Sequence, residues 1–377
     1  MRTTGITMAI AAISVAAWVA GVESSSLRPD ESPPANETED SKNRPQPPDG
    51  GESKARPQPP ARLPEGRRGI AVKYPGDRAI EKDPRVIFVE RFDADSIDAI
   101  AKHWDTASAT EIMSSSPDVP AGSGDNKSLL MSYVGGEGTG GQFYRRLLPT
   151  AKDPTNRVTT SGYDRVFARF YVKFDPECVP IHHFGTHLGG FNPATAWPQG
   201  GAGELPDGTK RFTTGVEPYG KDWEWDFYSY WQGMHVHGDG NYWGTPFLAG
   251  AAKPKVERGR WICVEMMVKV NDPPTESNGE QAFWIDGKLW RTGGQIASHF
   301  GPGFPNGRWT GGWWSPDPKA TESFEGLRWR ATKDLAVNYV WAYLYITKSP
   351  PKHVSKVWFD NIVVAQEYIG PIEPIAR

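Results

Sequence analysis

The residues best suited to chemistry lie together in one stretch, Trp-Glu-Trp-Asp-Phe-Tyr-Ser-Tyr-Trp-Gln at positions 223–232. Side chains of a β-strand alternate between its two faces. At that period Trp223, Trp225, Phe227 and Trp231 share one face, and Glu224, Asp226, Tyr228, Tyr230 and Gln232 share the other. The first set suits a buried sheet face. The second is a row of carboxylates, phenols and an amide, groups that donate, accept and hold protons. A face that is only solvated more commonly carries Thr, Lys and Ser, so the spacing predicts a strand lining a cleft. The competing reading is an outer strand whose aromatic-rich face simply meets water, as antiparallel sheets allow.

Such a row needs a scaffold. Runs at 86–92, 129–134, 142–148, 166–174, 211–217, 261–270, 281–290, 339–346 and 357–365 read as further strands. In 166–174, Val166, Ala168, Phe170, Val172 and Phe174 point to the core, and Arg169, Tyr171 and Lys173 point away. Asp286-Gly287 signals a tight turn between strands, and 96–104 a short helix capped by Asp95 or Ser96. Many strands, turn chemistry between them and little helical periodicity give an all-β sandwich or jelly roll. The Gly/Pro/Trp-rich loops at 188–209, 238–258 and 298–324 are longer than plain connectors, as binding walls or lids are. The glycine-rich loop 135–141 lacks the lysine and Ser/Thr order of a phosphate loop.

The chain has 377 residues and a formal net charge of −3, which argues against nucleic-acid binding driven by bulk charge. Residues 1–22 have the layout of a secretory signal, with Arg2 ahead of the apolar run 8–20 and small and polar residues after it. That run is short for a bilayer span and no later segment is apolar enough, so a secreted or cell-envelope protein without a membrane span is expected. Residues 23–83, with Arg-Pro-Gln-Pro-Pro at 44–48 and again at 56–60, are expected to form a disordered linker. Residues 84–371 hold nearly all the aromatic residues and are expected to form one domain, acting as a monomer. Cys178 and Cys263 could pair in an exported chain, while Cys263 also suits a small buried position in its strand.

His182, His183, His187, His235 and His237 gather most of the histidines. His235 and His237 would share a strand face, but no carboxylate or cysteine stands at a ligand spacing beside them, so no catalytic metal is expected. No cofactor is required, and a structural calcium held by loop Asp and carbonyl groups is compatible with the sequence.

Residues 259–271 (GRWICVEMMVKVN) and 283–289 (FWIDGKL) resemble the paired back strands of concanavalin-A-like jelly-roll polysaccharide lyases, in the alginate- and glucuronan-lyase group, families fourteen and twenty. Residues 357–364 (VWFDNIVV) are similar to that family's last strand. The resemblance covers 125–290 and 337–365, and implies a β-sandwich jelly roll with long loops around a concave groove. It also implies that Tyr228-Ser229-Tyr230 matches the family's Tyr-x-Tyr strand of catalytic tyrosines. His183, seven residues before Gly190 in the run 183–190, stands where the family commonly has a lysine ahead of its Gly-Gly pair. Phe212-Thr213-Thr214-Gly215 takes the place of a Phe-Ser-x-Arg strand, so that arginine is missing, with Arg211 adjacent. These departures bear on which polymer is bound.

The implied activity is β-elimination on an acidic, uronate-containing polysaccharide. The proton α to the carboxylate is removed and the 4-linked oxygen expelled, which calls for a base, an acid and a counter-charge for the carboxylate. Tyr228 and Tyr230 are the expected acid and base, with His183 assisting. Gln142, Arg169, Arg211, Thr213, Glu224, Asp226, Gln232 and His187 are the expected substrate-binding residues, and Trp231 and Trp243 the candidates for stacking on sugars. One rival is glycoside hydrolysis: Glu224-x-Asp226 begins like a jelly-roll glucanase strand, but Tyr228 or Ser229 stands where the second catalytic glutamate belongs. The other is a carbohydrate-binding module with the same cleft and no working acid and base. The lyase reading depends on tyrosines open on the hollow side of the sheet with His183 close by; tyrosines packed beneath other residues would make a sandwich that merely holds sugars the better description.

Overall fold

The period-two runs assemble into two stacked antiparallel sheets with almost no helix. This is a computed structural model, and it describes residues 62–136, 140–148, 158–159, 161–181, 183–195, 201–219, 222–303, 307–317, 324–346 and 349–375. The expected signal, the linker as far as residue 61, and His182 lie outside the described residues. In chain order the strands of the two sheets are β1 (Val86–Glu90), β2 (Thr106–Ser108), β3 (Met113–Ser116), β4 (Ser128–Val134) and β5 (Gln142–Arg146). Next come β6 (Arg165–Phe174), β7 (Phe184–Phe191), β8 (Arg211–Tyr219), β9 (Glu224–Tyr230) and β10 (Trp261–Lys269). The last are β11 (Glu280–Ile285), β12 (Lys288–Leu289), β13 (His299–Phe300), β14 (Tyr339–Leu344) and β15 (Val354–Ala365). The back sheet runs β12-β11-β10-β6-β15-β4-β3, with β1 against β15 and β13 against β11. The front sheet runs β9-β8-β7-β14-β5-β2.

Alternation places the core as the sequence predicts. Val166, Ala168, Phe170, Val172 and Phe174 of β6 are all fully buried between the sheets. The Phe174 ring lies 5.1 Å from Phe184 and 6.1 Å from Trp225 of the front sheet, and Phe184 lies 5.3 Å from Phe359. Interlocking rings of this kind fix how one sheet sits on the other. The local signals hold too: Ser96 Oγ accepts the Ala99 N–H at 3.1 Å and caps the helix Ile97–Ala101. Asp286 and Gly287, at φ 50° and 74°, turn the chain between β11 and β12.

Three expectations need correction. Residues 70–82, placed in the linker, form three 3₁₀ turns, Ile70–Lys73, Pro75–Asp77 and Ile80–Lys82. Ile70, Ala71 and Ile80 pack with Trp284, Leu289 and Tyr368 on the outer face of the back sheet, so the folded domain begins before Pro84. That outer face is apolar and must be covered, and the N-terminal segment covers it. The strand of 223–232 is shorter than expected: it spans Glu224–Tyr230, and a turn at Gln232 and Gly233 ends it. His235 and His237 therefore share no strand face, and His235 instead stacks on Trp309 with ring centroids 3.9 Å apart. Of the two readings open for the cysteines, the structure has the unpaired one: Cys178 and Cys263 are both buried, free thiols.

Candidate active site

Strand register puts a polar row across the front sheet, on the face opposite the core. Thr213, Gly215 and Glu217 of β8 stand opposite Tyr230, Tyr228 and Asp226 of β9. Across the other edge of β8, Gly215 stands opposite His187 of β7, and His187 opposite Trp341 of β14. Tyr343 of β14 then faces Gln142 of β5. Residues two apart share a face, so these side chains converge from five strands. Gly215 makes room for one of them: a Cβ there would come within 1.9 Å of the His187 ring.

Glu217 is the hub. One carboxylate oxygen accepts from His187 Nε2 at 2.8 Å and from the Tyr343 hydroxyl at 2.7 Å. The other accepts the backbone N–H of His183 at 3.2 Å. His183, at φ 79°, sits in the left-handed region just before β7, with its ring 5.5 Å from that of Tyr228. The Trp341 ring stacks on Tyr343 at 4.1 Å, and its indole N–H donates to Gln142 Oε1 at 2.8 Å. Gln142 Nε2 in turn donates to Ser108 Oγ at 2.8 Å.

Beside the hub, the hydroxyls of Tyr228 and Tyr230 lie 3.3 Å apart. Burial pushes the Tyr228 hydroxyl well above its ordinary value of 10, and the neighbouring Tyr230 and Glu217 add to the rise. Burial likewise pushes Tyr230 up to about 12, against the hydrogen bonds of Tyr228 and the Gly244 backbone, which lower it. Both phenols hold their protons at neutral pH.

Two long loops roof these tyrosines. The backbone of Gly203 exchanges hydrogen bonds with that of Tyr242, at 2.9 and 3.3 Å, and Gly244 lies against the Tyr228 ring. Tyr228 is 8% exposed and Tyr230 2%. The expectation of tyrosines open on a hollow face is therefore corrected: they lie under loop backbone. The expected nearness of His183 is found.

The structure thus gathers Tyr228, Tyr230, His183, His187, Thr213 and Gln142 on one face. Arg211 stands at the rim, where it lines a crevice with Pro206 and Tyr230 and pairs with Glu204 at 2.8 Å. Gln232 lies past the strand end, and Glu224 is half-buried at the strand's other end, where its backbone pairs with that of Lys255. Two assignments do not hold. Arg169 is fully buried on the outer side of the back sheet, paired with Asp77 and donating to the carbonyls of Gly370 and Asn361, each at 3.2 Å. Its side chain faces away from the core, and that side is closed by the chain termini rather than by solvent. Asp226 is also fully buried; its carboxylate accepts the N–H groups of Phe247 and Leu248 at 3.0 and 3.1 Å and pairs with Lys253 at 3.1 Å. It anchors the roof loop and does not reach a ligand.

Sequence reasoning missed Glu217, Trp341 and Tyr343. A signal existed, since Glu217 keeps the parity of Thr213 and Gly215, and Tyr339, Trp341 and Tyr343 alternate along their strand. Trp243 donates its indole N–H to Asp239 at 2.8 Å, and Trp231 is buried in the core. Among the described residues no group of three or more His, Cys, Asp or Glu is arranged to hold a metal, and no helix is long and apolar enough to cross a membrane.

No family model matches the chain, and no curated protein matches it. Solved structures similar to it include the alginate lyase Aly36B, at 11% identity over 75% of this chain and 98% of that one, with a TM-score of 0.43. The endo-β-1,4-glucuronan lyase of the fungus Trichoderma reesei matches at 12% identity over 74% of this chain and 95% of that one, with a TM-score of 0.34. The catalytic domain of the glycoside hydrolase family 131 protein from Coprinopsis cinerea matches at 8% identity over 76% and 98%, with a TM-score of 0.32.

Proposed function

We propose that the protein cleaves a uronate-containing polysaccharide by β-elimination, with the front-sheet network as its proton-transfer machinery. The observation that carries this reading is the Glu217–His187 pair on the same face as the Tyr228–Tyr230 hydroxyl pair. With Glu217 as a carboxylate, His187 Nε2 carries the proton and donates it, which leaves the lone pair on Nδ1. That nitrogen is buried and has no hydrogen-bond partner among the described residues. An imidazole oriented by a carboxylate is a general base. Two strand spacings, about 10 Å, separate the backbones of His187 and Tyr228, a gap that their facing side chains narrow. His187 would take the proton α to the uronate carboxylate, and the electron pair would form the new carbon–carbon double bond. Tyr230 would give its proton to the departing 4-linked oxygen. The raised phenols suit the acid role, so the base falls to a histidine and not to a tyrosine. Arg211 at the rim is the counter-charge for the substrate carboxylate.

The reading needs no cofactor and takes an acidic polysaccharide as partner, met outside the cell by a monomeric exported protein. It also requires the loops around Gly203 and Tyr242 to part, because the tyrosines are covered. That same burial favours a second reading, a jelly roll that holds polysaccharide and cleaves nothing. Alginate, glucuronan and a neutral β-glucan incubated with the full chain separate the two. Elimination raises ultraviolet absorbance as the unsaturated sugar forms, hydrolysis releases reducing ends without it, and binding alone retards polymer in a gel. Absence of the absorbance rise on every uronate polymer sinks the lyase reading.

A further inference from the structure

A second cavity opens beyond the end of β9. It has a volume of about 380 Å³ and is lined by Trp231, Gln232, Ser277, Phe324, Glu325 and Arg328, among others. That volume lies within the range of roughly 300–1,000 Å³ common for small-molecule sites. Gln232 follows Tyr230 by two residues, about 7 Å of extended chain, and its backbone N–H donates to the Arg328 carbonyl at 3.3 Å. The cavity therefore adjoins the tyrosines, and neither Tyr228 nor Tyr230 lines it.

Its lining is chemically mixed in a particular way. Arg328 is exposed, and among the described residues its guanidinium makes no ion pair and no side-chain hydrogen bond. Glu325, exposed in the same wall, is likewise in no ion pair among the described residues. Ser277 and Gln232 add a hydroxyl and an amide, and Trp231 and Phe324 add apolar ring surface.

We propose that this cavity binds one carboxylate-bearing sugar residue of an acidic oligosaccharide, with Arg328 as its counter-charge. The planar guanidinium suits a carboxylate held through two parallel hydrogen bonds. Glu325 and Gln232 accept from ring hydroxyls, and the aromatic wall covers the apolar face of the ring. The choice of a uronate rests on the proposed function; the demand for a carboxylate rests on Arg328 itself.

Tryptophan fluorescence of the full chain, titrated with alginate- and glucuronan-derived tetrasaccharides and with the neutral cellotetraose, tests this. The expected result is tighter binding of an acidic tetrasaccharide than of the neutral one. Arg328→Ala should weaken the acidic ligand about tenfold, as loss of a charge-assisted hydrogen bond does, and leave the neutral ligand unchanged. Arg328→Lys should fall between. Equal acidic affinity in Arg328→Ala and the parent chain overturns the proposal, as does a parent chain that binds no acidic tetrasaccharide. Arg328-dependent binding without any unsaturated product would keep the site and remove the lyase reading. Unsaturated product with binding that ignores Arg328 would do the reverse.

Discussion

Two buried polar clusters sit on the outer faces of the two sheets, and they are built from different partners. On the back sheet, Arg169 and Asp77 form a fully buried ion pair, and Glu265 accepts the N–H groups of Ile369 and Gly370 at 2.7 and 2.8 Å. Much of what these charges reach is main chain of the terminal segments. On the front sheet, Glu217 reaches mainly side chains, the imidazole of His187 and the phenol of Tyr343. Its neighbour Tyr228 is covered by the backbone of Gly244, on a loop whose Tyr242 pairs with Gly203. Burial alone does not separate structure from function here. The back cluster ties strand side chains to the segments that cover them, whereas the front cluster joins side chains of neighbouring strands to one another.

The sharpest way to break this contrast is to disable each hub in turn. Glu217→Gln removes the carboxylate that orients His187. Under the proposed function, formation of unsaturated product should fall by about 10²–10⁴-fold, with a small change in melting temperature. Continuous absorbance assays and a thermal melt of the same preparation check both halves. A variant that melts far lower but turns over normally would make the front cluster structural.

Arg169→Ala should do the opposite. Leaving Asp77 as an uncompensated buried charge costs about 3–5 kcal/mol, read from urea unfolding. Activity per folded molecule should not change, since Arg169 lies on the far sheet. Replacing Arg169 and Asp77 together by apolar residues should recover most of the loss. A double variant no better than the single one would mean that the main-chain ties of Arg169 matter more than its charge.

The back cluster should also give the fold a pH dependence. Burial pushes Glu265 up to about 7 from an ordinary 4.5, outweighing its two backbone hydrogen bonds. A carboxyl raised on folding stabilises the folded state while protonated. That contribution is whole below pH 4.5 and is lost as pH rises to about 7, some 3 kcal/mol at most. Asp125, pushed up to about 7 by burial and by Asp93, acts in the same window. Glu265→Gln, which keeps the neutral form at all pH, should flatten the Glu265 part of the decline in unfolding free energy between pH 4.5 and 7. An unchanged slope would assign the decline to Asp125 and its neighbours.

The same contrast explains what the sequence could tell. Parity found the core face of β6 and the shared face of Tyr228 and Tyr230, and turn chemistry found Asp286-Gly287, because both signals are local. It failed where burial depends on distant chain. Arg169 has the right parity for an exposed face, but residues 70–83 and 366–372 close over it, and nothing within β6 signals that. Asp226 has the parity of Tyr228, yet the loop at 245–253 folds back to take its carboxylate. Glu217 was readable by parity in β8, but its importance comes from His187 and Tyr343, which are far away along the chain and adjacent only through sheet order.

Asp226 offers the finest test of the roof. Its carboxylate holds Phe247, Leu248 and Lys253, on the loop that carries Gly244 over the tyrosines. Asp226→Asn keeps the shape and one acceptor oxygen but loses the charge that Lys253 and the N–H groups share. A charge-assisted hydrogen bond contributes about 1.5–3 kcal/mol, so local opening of 244–248 should become at least about tenfold more frequent. Amide hydrogen exchange would read this as faster exchange confined to that loop, with the protection of β6 and β10 unchanged. If Asp226 instead touched substrate from an open face, exchange in the free protein would not move, and only the affinity for polymer would fall.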